Sequence, residues 1–173
     1  MQGDISEHYS GKTAQPLIPL IFSHGLSSNR TMHSGTCKDF ASHGYIVFVM
    51  DHKDGSSSYT EEAEGHKGLY YDNTIQLYDL DSRRGQVDIR VSEIKALIDE
   101  LYQDQGASIL ERIGFPRTLK LDLERLIISG HSFGGMTAIR VANEDPRVKV
   151  CGTLDPWLFT FEKEITTGQF QLP

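Results

Sequence analysis

One bend constrains this chain more than any other feature. It is Gly130-His131-Ser132-Phe133-Gly134, set between the apolar run Leu126-Ile127-Ile128-Ser129 and a helix-forming run from Phe133 to Asn143. A G-x-S-x-G sequence in that setting requires the backbone to turn sharply from a buried strand into a helix. A side chain at Gly130 or Gly134 would collide with neighbouring backbone, and Gly135 and Ala138 let the helix lie close on the sheet. The Ser132 hydroxyl then projects above the sheet, where the unpaired N–H groups of the first helical turn also point. Ser132 is the expected nucleophile, and the Phe133 N–H the expected first oxyanion donor.

The rest of the chain supplies a fold for this bend. Leu17–Phe22 and Tyr45–Met50 are apolar without alternation, which predicts strands buried on both faces, as in a parallel sheet covered by helices. Arg30–Ser42 reads as a helix stopped by Gly44. In Gln86–Tyr102 the residues Val87, Val91, Ile94, Leu97, Ile98, Leu101 and Tyr102 share one helical stripe. Val148–Leu154 reads as a further strand, ending at Asp155. Between Asp54 and Asp81 no period emerges; a surface excursion with one short helix is expected, its acids Glu61, Glu62 and Glu64 forming a solvated face. Gly106–Lys120 reads as a connector whose Ile109, Leu110, Ile113 and Phe115 pack on the domain. Alternating strands and helices predict an α/β fold, a parallel-sheet core with flanking helices, and the serine bend makes it the α/β-hydrolase arrangement.

A second oxyanion donor should come from the loop after an earlier strand. Here that loop is Ser23-His24-Gly25-Leu26-Ser27, and the Leu26 N–H takes the role. The orienting acid should follow the nucleophile in the chain. Asp155 is the carboxylate that stands at the end of a buried strand, on the edge to which parallel strands deliver their C-termini. The base is harder to find. None of the seven histidines follows Asp155. His24 and His52 stand at strand ends but in the wrong chain order, and His131 should point away from its neighbour Ser132. The expectation is a partial domain, truncated at the C-terminus, with the triad histidine beyond Pro173. Residues 16–173 would form that domain, preceded by a segment, 1–15, without a clear match. The strand ending at Asp155 would then be left as an apolar sheet edge.

Composition excludes several function classes. A net charge of −7, with no local run of Lys and Arg, argues against a nucleic-acid partner. Cys37 and Cys151 form no C-x-x-C pair and no disulfide framework; two buried free thiols are expected, and no metal or cofactor. Met1–Gln15 lacks the charged start and apolar stretch of a signal peptide, and the longest apolar runs are strand-sized. A soluble chain follows, with a cytoplasmic location favoured and peripheral attachment to lipid left open.

Taken together, Pro19-Leu20-Ile21-Phe22-Ser23-His24-Gly25-Leu26, Ala41-Ser42-His43-Gly44-Tyr45-Ile46-Val47, Asp51-His52-Lys53-Asp54-Gly55-Ser56, Gly130 to Gly135 and Leu154-Asp155-Pro156-Trp157 resemble the platelet-activating factor acetylhydrolase family. The resemblance covers about residues 16 to 160. It implies a calcium-independent serine hydrolase that removes the short sn-2 acyl group of ether and oxidised phospholipids. A phospholipid is then the substrate, and contact with a membrane or lipoprotein stays open. By match, Ser132 is the nucleophile, Asp155 the triad acid, and the N–H groups of Leu26 and Phe133 the oxyanion hole. The family's triad histidine lies further along than Pro173. Two other readings compete: a different carboxylesterase on the same fold, acting on soluble or polymeric esters, and an inert chain lacking the triad histidine.

Overall fold

The computed structural model describes residues 16–61 and 68–170. Its strands are β1 (Ile18–Ser23), β2 (Tyr45–Val49), β3 (Tyr59–Thr60), β4 (Leu69–Tyr70), β5 (Ile127–His131) and β6 (Val150–Leu154). Four of them form one sheet in the order β2-β1-β5-β6. Every pairing in it is parallel, so β1, β5 and β6 deliver Ser23, His131 and Leu154 to the same rim. Parallel neighbours need crossovers. These are α1 (Ser34–Ser42), α2 (Leu80–Gln103) with the short α3 (Ala107–Arg112), and α4 (Phe133–Glu144). A further short helix, α5 (Glu162–Thr166), follows a 3-10 turn at Leu158–Phe161. This is the α/β-hydrolase arrangement expected from the sequence.

Burial follows position in the sheet. β1 lies between β2 and β5 and is buried from Pro19 onward. β2 is an edge strand, and Tyr45, Val47 and Val49 are only half-buried, so burial on both faces holds for β1 and not for β2. α1 flanks this edge without burying any of its residues. β6 is the other edge, and Val150 and Leu154 are exposed there. The core joins Ile21 and Ile128 of the sheet to Val87, Ile94 and Ile98 of α2 and Met136 and Val141 of α4. Each such aliphatic side chain removed from water stabilises the fold by about 1.5–3 kcal/mol.

Several boundaries differ from those expected. α1 begins at Ser34 rather than Arg30. Asn29 Oδ1 accepts from the Thr31 N–H and hydroxyl, and the Arg30 N–H donates to Asp51, so these groups are used outside a helix. α2 begins at Leu80 rather than Gln86. Asp79 caps it, accepting from the Ser82 N–H at 3.2 Å and the Ser82 hydroxyl at 2.7 Å. The excursion between Asp54 and Asp81 is not all surface: Asp54, Gly55, Ser56 and Ser57 are buried beneath α2. Among its described residues there is no helix before Leu80; Tyr59 pairs with Tyr70 and Thr60 with Leu69 instead. Glu61 is exposed, and Glu62 and Glu64 lie outside the described residues, as do Met1–Gln15 and the last residues from Gln171. In the 106–120 connector Ile109 and Leu110 enter the core, whereas Ile113 is exposed. Both cysteines are free and half-buried rather than fully buried.

Candidate active site

The site is built where β5 meets α4. Ser132 takes φ 53° and ψ −117°, a conformation L side chains avoid. Among the described residues four non-glycine residues have positive φ, and three of them, Ser27, Ser132 and Asp155, lie at this rim. Strain of this kind costs about 1–3 kcal/mol per residue and persists only where surrounding contacts enforce it. Those contacts are visible. The Ser132 N–H donates to the Leu154 carbonyl at 3.0 Å, and the Ser132 carbonyl accepts from the Trp157 N–H at 2.9 Å. A Cβ on Gly130 would overlap the Gly134 carbonyl, and one on Gly134 would overlap the carbonyls of Ser23 and His24. Both glycines are therefore required by close backbone approach.

The same packing brings the β1 loop to the serine. A Cβ built on Gly25 would stand 3.4 Å from Ser132 Cβ and 3.2 Å from His131 Nδ1. Leu26 follows at once and is half-buried. Phe133 opens α4 with its ring fully buried. Asp155 follows β6 directly, with Leu154 paired to His131. Asp155 is exposed and takes no hydrogen bond among the described residues. Ser132, Leu26, Phe133 and Asp155 thus share one rim. The Ser132 hydroxyl, half-buried, takes no hydrogen bond among the described residues either.

Three described histidines near this rim have other contacts. His131 packs on His33 at 4.8 Å between ring centroids. His24 donates from Nδ1 to the Gly25 carbonyl at 2.8 Å, and its Nε2 lies 3.0 Å from Ser57 Oγ. Burial, with the Arg90 cation adding to it, pushes the His24 imidazole down to about 4, so it is neutral near pH 7. His52 is also held well below its ordinary value, first by burial and then by Arg90. Its Nδ1 bonds Glu93 Oε2 at 2.7 Å and its Nε2 bonds Ser23 Oγ at 2.8 Å.

Ser23, His52 and Glu93 therefore form a serine–histidine–carboxylate chain that the sequence did not reveal. One tautomer satisfies it: Ser23 donates to Nε2 and Nδ1 donates to Glu93. Ser23 and His52 are wholly buried, so no ester reaches that hydroxyl. The chain ties the end of β1 to α2. A second buried group was equally unforeseen: the ion pair of Arg90 Nε with Asp54 Oδ2 at 2.8 Å, both side chains fully shielded from water. Stripe logic puts an arginine of an amphipathic helix on its wet face. Only the spacing of Arg83, Gln86, Arg90 and Glu93, which share a side with the apolar stripe, could have signalled otherwise.

Aromatic side chains wall the site beyond Ser132. Trp157 tilts over Phe133 at 5.8 Å, stacks on Phe159 at 5.5 Å and meets Tyr78 edge-on at 6.2 Å. Among the described residues no group of three His, Cys, Asp or Glu side chains could hold a metal ion. No helix among them is long and apolar enough to cross a membrane. The rim thus gathers the serine bend, the loop carrying Leu26 and the exposed Asp155 at the C-terminal ends of three parallel strands.

Known proteins resemble this chain in sequence and in fold. The platelet-activating factor acetylhydrolase of Bos taurus is 32% identical over 169 residues, covering 89% of this chain and 38% of that protein. The chain thus spans well under half the length of that relative. Cutinase est1 of Thermobifida alba is 32% identical over 79 residues, covering 46% of this chain and 24% of the cutinase. Among solved structures, the ferulic acid esterase of Streptomyces cinnamoneus superposes with a TM-score of 0.58 at 25% identity, covering 78% of this chain and 35% of the esterase. The family model for platelet-activating factor acetylhydrolase, isoform II, matches residues 4–173, and the chain belongs to that family.

Proposed function

We propose that this chain carries the nucleophile, acid and oxyanion hole of a serine hydrolase that cleaves the short sn-2 acyl ester of platelet-activating factor and similar phospholipids. The observation that carries the reading is the strained Ser132, held by Leu154 and Trp157 against the 25–26 loop, in a chain of this family. Ser132 Oγ attacks the ester carbonyl. The carbonyl oxygen becomes an oxyanion and accepts from the N–H groups of Leu26 and Phe133; one such donor is worth about a hundred- to a thousandfold in rate. An imidazole oriented by Asp155 takes the hydroxyl proton and passes it to the departing lysophospholipid oxygen. Water, activated by the same imidazole, then releases the acid and restores Ser132. In the order nucleophile, acid, base, that imidazole would follow Asp155 along the chain.

A second reading has its own support. The cutinase relative and the esterase neighbour suggest a carboxylesterase acting on soluble or polymeric esters. A fluorophosphonate probe, followed by turnover of an acetylated ether phospholipid and of 4-nitrophenyl acetate, decides among the readings. In a protein that also supplies that imidazole, saturable labelling lost in Ser132→Ala, with turnover of the phospholipid, is expected. Turnover of the aryl ester alone overturns the phospholipid reading. Absence of both labelling and turnover makes the chain catalytically inert.

A further inference from the structure

We propose that Arg90 is a positioning residue that holds the two oxyanion donors, the N–H groups of Leu26 and Phe133, in register. The proposal rests on the assignment of those donors made above. Arg90 lies on α2, far along the chain from both, and is wholly buried. Its Nη1 donates to the His24 carbonyl at 2.7 Å. Its Nε donates to Asp54 Oδ2 at 2.8 Å and to Ser56 Oγ at 3.1 Å, and Nη2 also donates to Ser56 Oγ. Its guanidinium carbon lies over the Phe133 ring, 4.6 Å from the centroid. One rigid group thus grips the loop that carries one donor and the side chain of the residue that carries the other.

Peptide geometry turns this grip into an aim. The described peptides are trans, so each carbonyl points opposite to the N–H of the next residue. The His24 carbonyl is held inward by Arg90. The Gly25 carbonyl is held by His24 Nδ1 at 2.8 Å and by the Ser28 N–H at 3.3 Å. The Leu26 N–H belongs to that second peptide and must face the other way. Phe133 is fixed in turn, its ring lying against Arg90 and 5.8 Å from Trp157. Burying a guanidinium is costly even when it is paired, and an apolar replacement often serves stability as well. The fork and the flat face are what an apolar side chain cannot supply. Arg90 reaches no substrate and acts only through the two donors.

The test compares Arg90→Lys with the unaltered protein. Lysine keeps the charge near Asp54 but loses the fork and the stacked face. Fluorophosphonate labelling of Ser132 is timed at a temperature where circular dichroism shows both proteins folded, and amide signals of Leu26 and Phe133 are followed by NMR. We expect labelling slowed tenfold or more, with both amide signals displaced. Arg84→Lys, on the same helix but bonded to the Thr160 carbonyl and Glu164, should label at the unaltered rate. If Arg90→Lys does not fold, Asp54→Asn removes the anion that seats the guanidinium, and a several-fold slowing is expected. Labelling at the unaltered rate, or amide signals of Leu26 and Phe133 that stay in place, overturns the proposal. If the unaltered protein takes no label, the chain lacks an activating base, and the two amide signals alone decide the role of Arg90.

Discussion

The Ser132 N–H donates to the Leu154 carbonyl at 3.0 Å, so the bend carrying the candidate nucleophile is fastened to the residue just before Asp155. The strand pairing of β5 with β6 continues through His131 and Leu154 and closes on this bond. The candidate nucleophile and the candidate acid are thereby placed by backbone rather than by side-chain contact. Their relative position should survive side-chain replacement at either residue.

Strain at Ser132 should be measurable as stability gained when it is released. Glycine adopts φ 53° and ψ −117° without steric cost, so Ser132→Gly should stabilise the protein by about 1–3 kcal/mol while abolishing fluorophosphonate labelling. Chemical denaturation of the two proteins, followed by circular dichroism, reads the difference. An unchanged or lower midpoint in the glycine variant would show that the bend stores no strain.

The two kinds of glycine in this chain should respond oppositely to alanine. A Cβ on Gly134 would overlap the backbone carbonyls of Ser23 and His24, which cannot move without shifting β1. Gly134→Ala should cost about 3 kcal/mol or leave no folded protein, at the upper end of overpacking effects. Gly85 lies within α2, is exposed, and has nothing within 4 Å of a built Cβ. Gly85→Ala should stabilise by about 0.5–1 kcal/mol, because it removes a flexible residue from a helix interior. Melting temperatures of both variants check the contrast.

Buried imidazoles give stability a sign with pH. His24 is pushed down to about 4 and His52 well below its ordinary value, both chiefly by burial. The unfolded chain therefore takes up these protons first. Their contribution is fully present above about pH 6.5, the unfolded value, and falls as pH drops toward 4. His24 alone accounts for about 3 kcal/mol across that window. Glu93 opposes the trend: burial raises its carboxyl, so the folded state takes up that proton more readily. With His24 and His52 both losing stability as pH falls, the urea midpoint at pH 5 should lie below that at pH 7. Equal midpoints would contradict the burial of His24 and His52.

The sequence exposed those parts of the fold whose signal is local. β1 and β5 are apolar and central, and G-x-S-x-G imposes its own bend, so the sheet, the serine and the rim carrying Asp155 were all legible. The same apolar character misled at β2, because a strand's neighbours are set by the sheet and not by its own residues. Tyr45, Val47 and Val49 carry no mark of an edge. The buried polar network was invisible for a related reason. Arg90 looks like a surface residue until Asp54, Ser56 and the His24 carbonyl, all distant in the chain, are seen around it. Likewise His52 offers no hint of Ser23 and Glu93. Apolar burial can be read one residue at a time, whereas polar burial requires knowing the partner.

Asp155 gives the sharpest separation of function from stability. It is exposed, takes no hydrogen bond among the described residues, and sits at φ 44°. Asparagine is nearly isosteric and tolerates positive φ better than most residues. Asp155→Asn should therefore leave the melting temperature within about a degree or two of the unaltered protein, as surface changes of this kind do. In a protein that turns over ester, it should lower kcat by about a hundredfold or more, because an amide presents its dipole wrongly to the imidazole and cannot stabilise its charge. KM should change little, since Asp155 makes no contact with bound ester in the proposed mechanism. Fluorophosphonate labelling should slow in parallel with kcat. A variant that melts early but keeps its turnover would mark Asp155 as a structural turn residue, and the orienting acid would have to be sought elsewhere on the rim.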